Sequence, residues 1–222
     1  ANSINVARFL PQMFYYFYAY AQLAKEGKSN MNEVVIVVPS GNFGNITAGL
    51  GAKRMGLPIK RFIAANNRNS VVYEYLKTGE YNPRPSISTI ANAMDVGAPS
   101  NFARILDLYG MSHQAIINDI SGTTYTDEEI GETLKDTFVN EHYLLDPHGA
   151  VGYRAMIDCL AENEVGISLE TAHPAKFKET VDKITGGNVE IPARLKAFME
   201  GRKQVKALSS DFSAFKTFLL NE

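Results

Sequence analysis

The hexapeptide Ser40-Gly41-Asn42-Phe43-Gly44-Asn45 carries the most legible chemistry in the chain. It follows the β-branched run EVVIVV at 33–38 and precedes ITAGLGAKRMG, a small-residue segment that reads as a helix closing at Gly56. A turn between a buried strand and a helix start presents backbone N–H groups without partners and the positive end of the helix dipole, which together favour an anion. Its two glycines let the backbone approach a ligand closely. The third glycine of a dinucleotide fingerprint and the Gly-Lys-Ser/Thr of a nucleoside-triphosphate loop are both missing, so a small monophosphate fits best. A strand-to-helix turn that needs glycine only for its own path is the competing reading.

Two further groups stand out. At the start of the chain, Asn2, Ser3 and Asn5 are followed by Arg8, which places amide, hydroxyl and guanidinium groups at the head of an apolar helix. Asn and Ser also serve as plain helix caps. Arg8 asks for more, because a guanidinium at the edge of so apolar a segment needs an anionic partner such as a bidentate phosphate. Toward the other end, Thr171 closes a strand expected over 165–170, where its hydroxyl faces either a heterocyclic nitrogen or nearby backbone. His173 and Lys176 lie within one turn of it, and His148 reads as a site residue or a helix cap. The four histidines lack the paired spacing of a metal site, so no metal is expected. Cys159, next to Ile157 and Leu160 in an expected amphipathic helix, reads as core.

These residues need a scaffold that brings strand ends to one edge. The run at 33–38, the helix after it and a second strand at 60–65 make a βαβ unit, whose right-handed crossover sets the strands parallel with their C-terminal ends together. Thr126-Asp127-Glu128-Glu129 is a capping box for a helix to about Asn140. Further helices are expected over 150–162 and 174–185, and two short amphipathic ones over 192–201 and 211–220. The stretch 66–121 reads as an irregular insertion with helical candidates near 70–77 and 101–109. Alternating strands and helices imply an α/β three-layer architecture with a parallel sheet. Residues 1–32 form a helix leading into one large α/β domain over 33–222.

Composition narrows the function. With 22 Lys+Arg against 24 Asp+Glu, and no long run of either sign, nucleic acid and charged membrane surfaces are not expected as partners. The segment 9–24 is apolar but interrupted by Pro11, Gln12 and Gln22, which fits a helix buried on most sides better than a membrane span. One cysteine in 222 residues excludes an intrachain disulfide framework and points to a reducing, cytoplasmic address.

Taken in order, NSINVARFLPQMFYYF, VVPSGNFGNITAGLGAKRMGLPIKRFIAANN, STIANAMDVGAPSNFARI, DPHGAVGYRA and ETAHPAKFKETV make the chain resemble the threonine synthases of the bacterial long-chain type. The resemblance runs from residue 2 to about 220. It implies the tryptophan-synthase-β-like fold of pyridoxal-phosphate enzymes (fold type II), here partial. It also implies a carbon–oxygen lyase acting on phosphates, which converts O-phospho-L-homoserine and water to L-threonine and phosphate with pyridoxal 5'-phosphate as cofactor. The family's cofactor-phosphate loop falls on Gly41, Asn42, Phe43, Gly44 and Asn45, its substrate-phosphate residues on Asn2, Ser3, Arg8 and Asn42, and its ring-nitrogen hydroxyl on Thr171. The family's Schiff-base lysine sits in a Ser/Thr-Phe-Lys-Asp segment upstream of NSIN, and Phe177-Lys178-Glu179 matches it only superficially. The implied reading is a C-terminal half without a catalytic residue of its own, inert alone. The alternatives are another fold-type-II lyase, which needs no second phosphate site, and a non-catalytic phospholigand-binding module.

Overall fold

The computed structural model describes residues 5–27, 33–187, 189–202 and 204–221. The elements are α1 (Val6–Phe9), a 3₁₀ turn (Leu10–Gln12), α2 (Met13–Lys25), β1 (Val34–Pro39), α3 (Gly44–Arg54), β2 (Arg61–Asn66), α4 (Val71–Thr78) and a second 3₁₀ turn (Asn92–Met94). Next come α5 (Phe102–Leu108), α6 (His113–Asp119), β3 (Ile120–Thr124), α7 (Asp127–Asn140), α8 (Pro147–Cys159) and β4 (Val165–Ser168). A third 3₁₀ turn (Pro174–Phe177), α9 (Lys178–Thr185), α10 (Ala193–Met199) and α11 (Phe212–Leu220) complete the chain. The chain divides into two units, Ala1–Val189 and Glu190–Glu222, a boundary that composition does not reveal. In the second, the large side chains of Phe198, Val205, Phe212 and Leu220 are exposed.

The first unit is built on a four-stranded sheet in the order β3-β2-β1-β4, with every pair parallel. Alternation along β1 sorts its side chains onto two faces. Val34, Ile36 and Val38 join Phe62, Ala64 and Ile120 in a core covered by α2 through α6. Val35 and Val37 join Ile63 and Ala65 in a second core, covered by Ile130 and Leu134 of α7, Ala150, Val151 and Ala155 of α8, and Val181 of α9. Both faces of β1 are thus dry, which is why its sequence is a continuous apolar run. The expected three layers are present.

The structure changes several expectations. The stretch 66–121 contains α4, α5, α6 and the start of β3, and is not irregular throughout. β3 escapes a sequence reading because Ile120-Ser-Gly-Thr-Thr is a polar edge strand, held by its pairing with β2 and not by an apolar pattern. The loop between α4 and α5 is tied to the end of β2: Asn67 and Asn69 reach across to Thr89, Ile87 and the Asp95 carboxylate. The apolar segment 9–24 is not buried on most sides. Phe14, Tyr15 and Tyr18 are exposed and, among the described residues of the segment, Tyr16 alone is fully buried, because a single face packs on α3 and the core beneath it. β4 stops at Ser168, two residues before the expected end, and as an edge strand is half-buried. α8 begins at Pro147, three residues early, because Asp146 caps it and proline suits its first position.

Candidate functional site

The sheet order reverses at β1: the chain leaves β1 toward β2 and β3 on one side and returns as β4 on the other. In open parallel sheets such a switch point leaves a crevice beyond the C-terminal strand ends, where ligands bind. The Ser40–Asn45 turn follows β1 at that edge, and Thr171 follows β4 there, exposed and three residues past Ser168. Leu169 N–H donates to the Val37 carbonyl at 3.0 Å, so β4 stays beside β1 almost to Thr171.

The turn has a backbone conformation that can receive an anion. Phe43 adopts a left-handed conformation, φ 60° and ψ 15°, and no side chain caps α3. A left-handed residue followed by the helical Gly44 makes successive N–H groups converge on one point, backed by the dipole of an 11-residue helix. A phenylalanine in this region is strained by about 1–2 kcal/mol, the kind of backbone strain found at functional sites. Burial of its ring in the core holds it there.

Gly41 is glycine because of what lies over it. A Cβ at this position would sit 2.6 Å from Met94 Cα and 3.2 Å from the Ala93 carbonyl oxygen, so the turn is seated directly against the 92–94 helix. The same helix is tied to α8. Ala93 N–H donates to His148 Nε2 at 3.1 Å, and His148 Nδ1 donates to Asp146 Oδ1 at 2.6 Å, which assigns the proton to Nδ1. Asp146 also caps α8, accepting from His148 N–H at 2.8 Å. His148 is therefore not the cap, which is Asp146, but a buried strut whose ring meets that of Phe177 at a tilt of 48°, with centroids 4.6 Å apart.

The rest of the DPHGAVGYRA motif follows from α8 packing its glycines against the strand ends. A Cβ on Gly149 would come within 2.7 Å of Glu170 Oε1, and one on Gly152 within 2.8 Å of Ser168 Oγ. Glu170, next to Thr171, accepts from Asp146 N–H at 3.1 Å and from Tyr143 Oη at 2.8 Å. Burial raises its carboxyl above the usual range. A cavity of about 340 Å³ opens there, lined by Tyr143, Leu145, Gly149, Ser168 and Glu170 among others, and none of its lining residues belongs to the 41–45 turn.

Asn42 Oδ1 accepts from Ser100 N–H at 2.6 Å and from Ser100 Oγ at 3.0 Å, so its carboxamide is held by the loop before α5. Asn45 is held from the other side: Tyr16 Oη donates to its carbonyl at 2.9 Å and lies 3.0 Å from its Oδ1. The path of α2, with Met13 against Gly51 and Tyr16 against Gly49, thus brings Tyr16 to the turn, whereas Arg8 is exposed in α1. Asn2 and Ser3 lie outside the described residues. His173 caps the 3₁₀ turn through Ala175 N–H, and Lys176 is exposed with Nζ 5.2 Å from the Phe177 ring. Cys159 is half-buried at the rim of the second core, and burial raises its thiol. Among the described residues no cluster of His, Cys, Asp or Glu could hold a metal, and no helix is long and apolar enough to cross a membrane. Sequence reasoning missed Tyr16, Asn66, Ala93, Ser100 and Asn101 around the turn. Only the buried-helix reading of 9–24 hinted at one of them.

Residues 4–168 match the family described as "Pyridoxal-phosphate dependent enzyme", and residues 149–219 match "Threonine synthase, C-terminal". The chain is 44% identical to the threonine synthase of Haemophilus influenzae over 99% of its own length and 51% of that protein. The crystal structure of threonine synthase from Escherichia coli superposes with a TM-score of 0.88 at 40% identity, covering 99% of this chain and 50% of that one. A pyridoxal-phosphate-bound threonine synthase from Brucella melitensis gives 0.88 at 31% identity, covering 100% and 52%. The chain spans about half the length of the curated relatives it matches.

Proposed function

Because the chain belongs to the pyridoxal-phosphate-dependent enzymes, we propose that it forms the cofactor-phosphate-binding half of a threonine synthase, acting on O-phospho-L-homoserine. The observation that carries the reading is the left-handed Phe43 opening an uncapped α3 at the switch point between β1 and β4. The residues present fit the cofactor. The N–H groups that converge where left-handed Phe43 meets the head of α3 suit its phosphate, Gly41 leaves no room for a side chain where the turn meets the 92–94 helix, and Thr171 offers a hydroxyl at the same edge.

When bound, pyridoxal phosphate supplies an electron sink for the substrate carbons. In this reading the chain's own task is to bind and orient. The amides of Gly41 to Asn45 hold the cofactor phosphate, and Thr171 presents a neutral hydroxyl to the ring nitrogen, where a carboxylate would draw a full proton. Asn42 and Arg8, with Asn2 and Ser3, take the phosphate of the substrate. No lysine of this chain is assigned the Schiff-base role. Lys178, in the segment that superficially resembles the family's lysine motif, is held by the Asp182 carboxylate and the Val189 carbonyl. A cytoplasmic address accompanies this reading, supported by the single cysteine.

Titrating the 222-residue chain with pyridoxal phosphate, pyridoxal and inorganic phosphate tests the site. Binding that depends on the phosphate group is expected, and equal affinity for pyridoxal and pyridoxal phosphate would refute the cradle. Phosphate release from O-phospho-L-homoserine tests the division of labour. None is expected from this chain alone, and release is expected once the half that its relatives possess beyond it is supplied. Turnover by the chain alone would overturn the lysine assignment.

A further inference from the structure

Two buried asparagines outside the turn fix the direction of its peptide groups. Across a trans peptide the carbonyl of one residue and the N–H of the next point in opposite directions, and the described chain has no cis peptide. The Ser40 carbonyl accepts from Asn66 Nδ2 at 2.7 Å, and the Asn42 carbonyl accepts from Asn101 Nδ2 at 2.9 Å. With both carbonyls drawn to their asparagines, the N–H groups of Gly41 and Phe43 are turned the other way. Phe43 N–H then joins the amides that converge at the head of α3.

Both side chains are built into the interior: Asn66 is 1% exposed and Asn101 is 0%. Their amide ends are assigned by their surroundings. Arg104 donates to Asn101 Oδ1, which leaves Nδ2 as the end that meets Asn42. Asn66 stands at the last pair of the β1–β2 ladder's continuation, where Ser40 N–H donates to the Ala65 carbonyl at 2.8 Å and the Asn66 side chain supplies the donor for the Ser40 carbonyl. Its Oδ1 is buried with no hydrogen-bond partner among the described residues. A leucine of similar size would avoid that penalty, so the donor toward Ser40 is what accounts for an asparagine here.

We propose that Asn66 and Asn101 are positioning residues for the cofactor phosphate, each orienting one amide of the cradle: Asn66 that of Gly41, Asn101 that of Phe43. The inference rests on reading the 41–45 turn as the phosphate site, and neither residue touches the phosphate itself.

The test follows backbone amide resonances of the ¹⁵N-labelled chain during titration with inorganic phosphate and with pyridoxal phosphate. In the unaltered chain the amides of Gly41, Phe43 and Gly44 are expected to shift together. Asn66→Leu is expected to remove most of the Gly41 response while sparing Phe43, and Asn101→Leu to do the reverse, each weakening phosphate binding about 5- to 10-fold. Where a leucine variant does not fold, Asn66→Ser or Asn101→Ser, polar but too short to reach the carbonyl, takes its place with the same expectation. Thr137→Val, which removes a buried hydroxyl bonded to the Thr133 carbonyl in α7, controls for lost stability and is expected to leave affinity unchanged. Gly41 and Phe43 responding alike in every variant would overturn the assignment. An unaltered chain in which no amide of the turn moves would overturn the phosphate reading instead.

Discussion

Gly41→Ala isolates the contact between the 41–45 turn, proposed to hold the cofactor phosphate, and the 92–94 helix. The added Cβ would lie 2.6 Å from Met94 Cα and 3.2 Å from the Ala93 carbonyl oxygen. Ordinary carbon contacts are about 3.5–4.0 Å, so the two backbones must part by about 1 Å. Neither neighbour is the end of a flexible side chain, and the interior is too close-packed to absorb the shift for nothing. Overpacking of this kind costs about 1–3 kcal/mol. Parting also disturbs the 3.1 Å bond from Ala93 N–H to His148, at a further cost of about 1 kcal/mol. The sum, about 2–4 kcal/mol, divides between folding stability and cofactor affinity. Expressed wholly in affinity it would be about 30- to 1,000-fold. Urea unfolding with and without saturating pyridoxal phosphate separates the two shares, because a ligand that binds only the folded state adds stability according to its affinity. Gly51→Ala is the matched control. Among the described residues its Cβ would meet only Met13 Sδ, at 3.0 Å, and alanine favours the helix by about 1 kcal/mol. If Gly41→Ala and Gly51→Ala behaved alike in both measurements, the turn would not be seated on the 92–94 helix.

His148→Ala is expected to lower stability by about 1–3 kcal/mol and to weaken phosphate binding, whereas His148→Gln, whose oxygen can still accept from Ala93 N–H, keeps most of both; equal losses in urea unfolding and phosphate titration would refute the strut. Tyr16→Phe removes the hydroxyl that binds Asn45 and is expected to cost about 1–2 kcal/mol in urea unfolding, with no effect counting against Tyr16 as a support of the turn. Glu164 is held at about 2, chiefly by its hydrogen bonds from Arg61. An unfolded glutamate titrates near about 4.3, so the stability this pair contributes is complete above that pH and is lost as pH falls toward about 2. Glu164→Gln is expected to flatten that part of the stability–pH curve, and an unchanged acid limb would refute the pairing.

How much of this molecule is legible in its sequence depends on how local each cause is. β1 declares itself because burial on both faces leaves an unbroken apolar run, and α7 because Thr126 and Glu129 satisfy each other's backbone three residues apart. β3 does not, since its five residues owe their extended form to Phe62 through Asn66 on the neighbouring strand. The misjudged burial of 9–24 has a similar origin. Mean hydropathy over the segment does not separate Phe14, Tyr15 and Tyr18 from Tyr16, but only the face set against Gly49 and Phe62 finds a core to enter.

The site divides along the same line. The glycines of the 41–45 turn and the strand-to-helix path are contiguous, so the turn proposed as the cradle is visible in six letters. What holds those letters in one conformation comes from elsewhere: Asn66 and Asn101 stand 26 and 59 residues from the carbonyls they bind, and His148 is 55 residues from Ala93. Each is an ordinary polar residue in its own neighbourhood, and it becomes specific only when the parallel crossovers bring the C-terminal ends of β1 and β2 and the head of α8 to one edge. A left-handed phenylalanine cannot persist on local preference, because the same peptide released from these contacts would relax toward commoner backbone angles. On the proposed reading the hexapeptide points to the ligand class, and the fold supplies the rigidity that such a site requires.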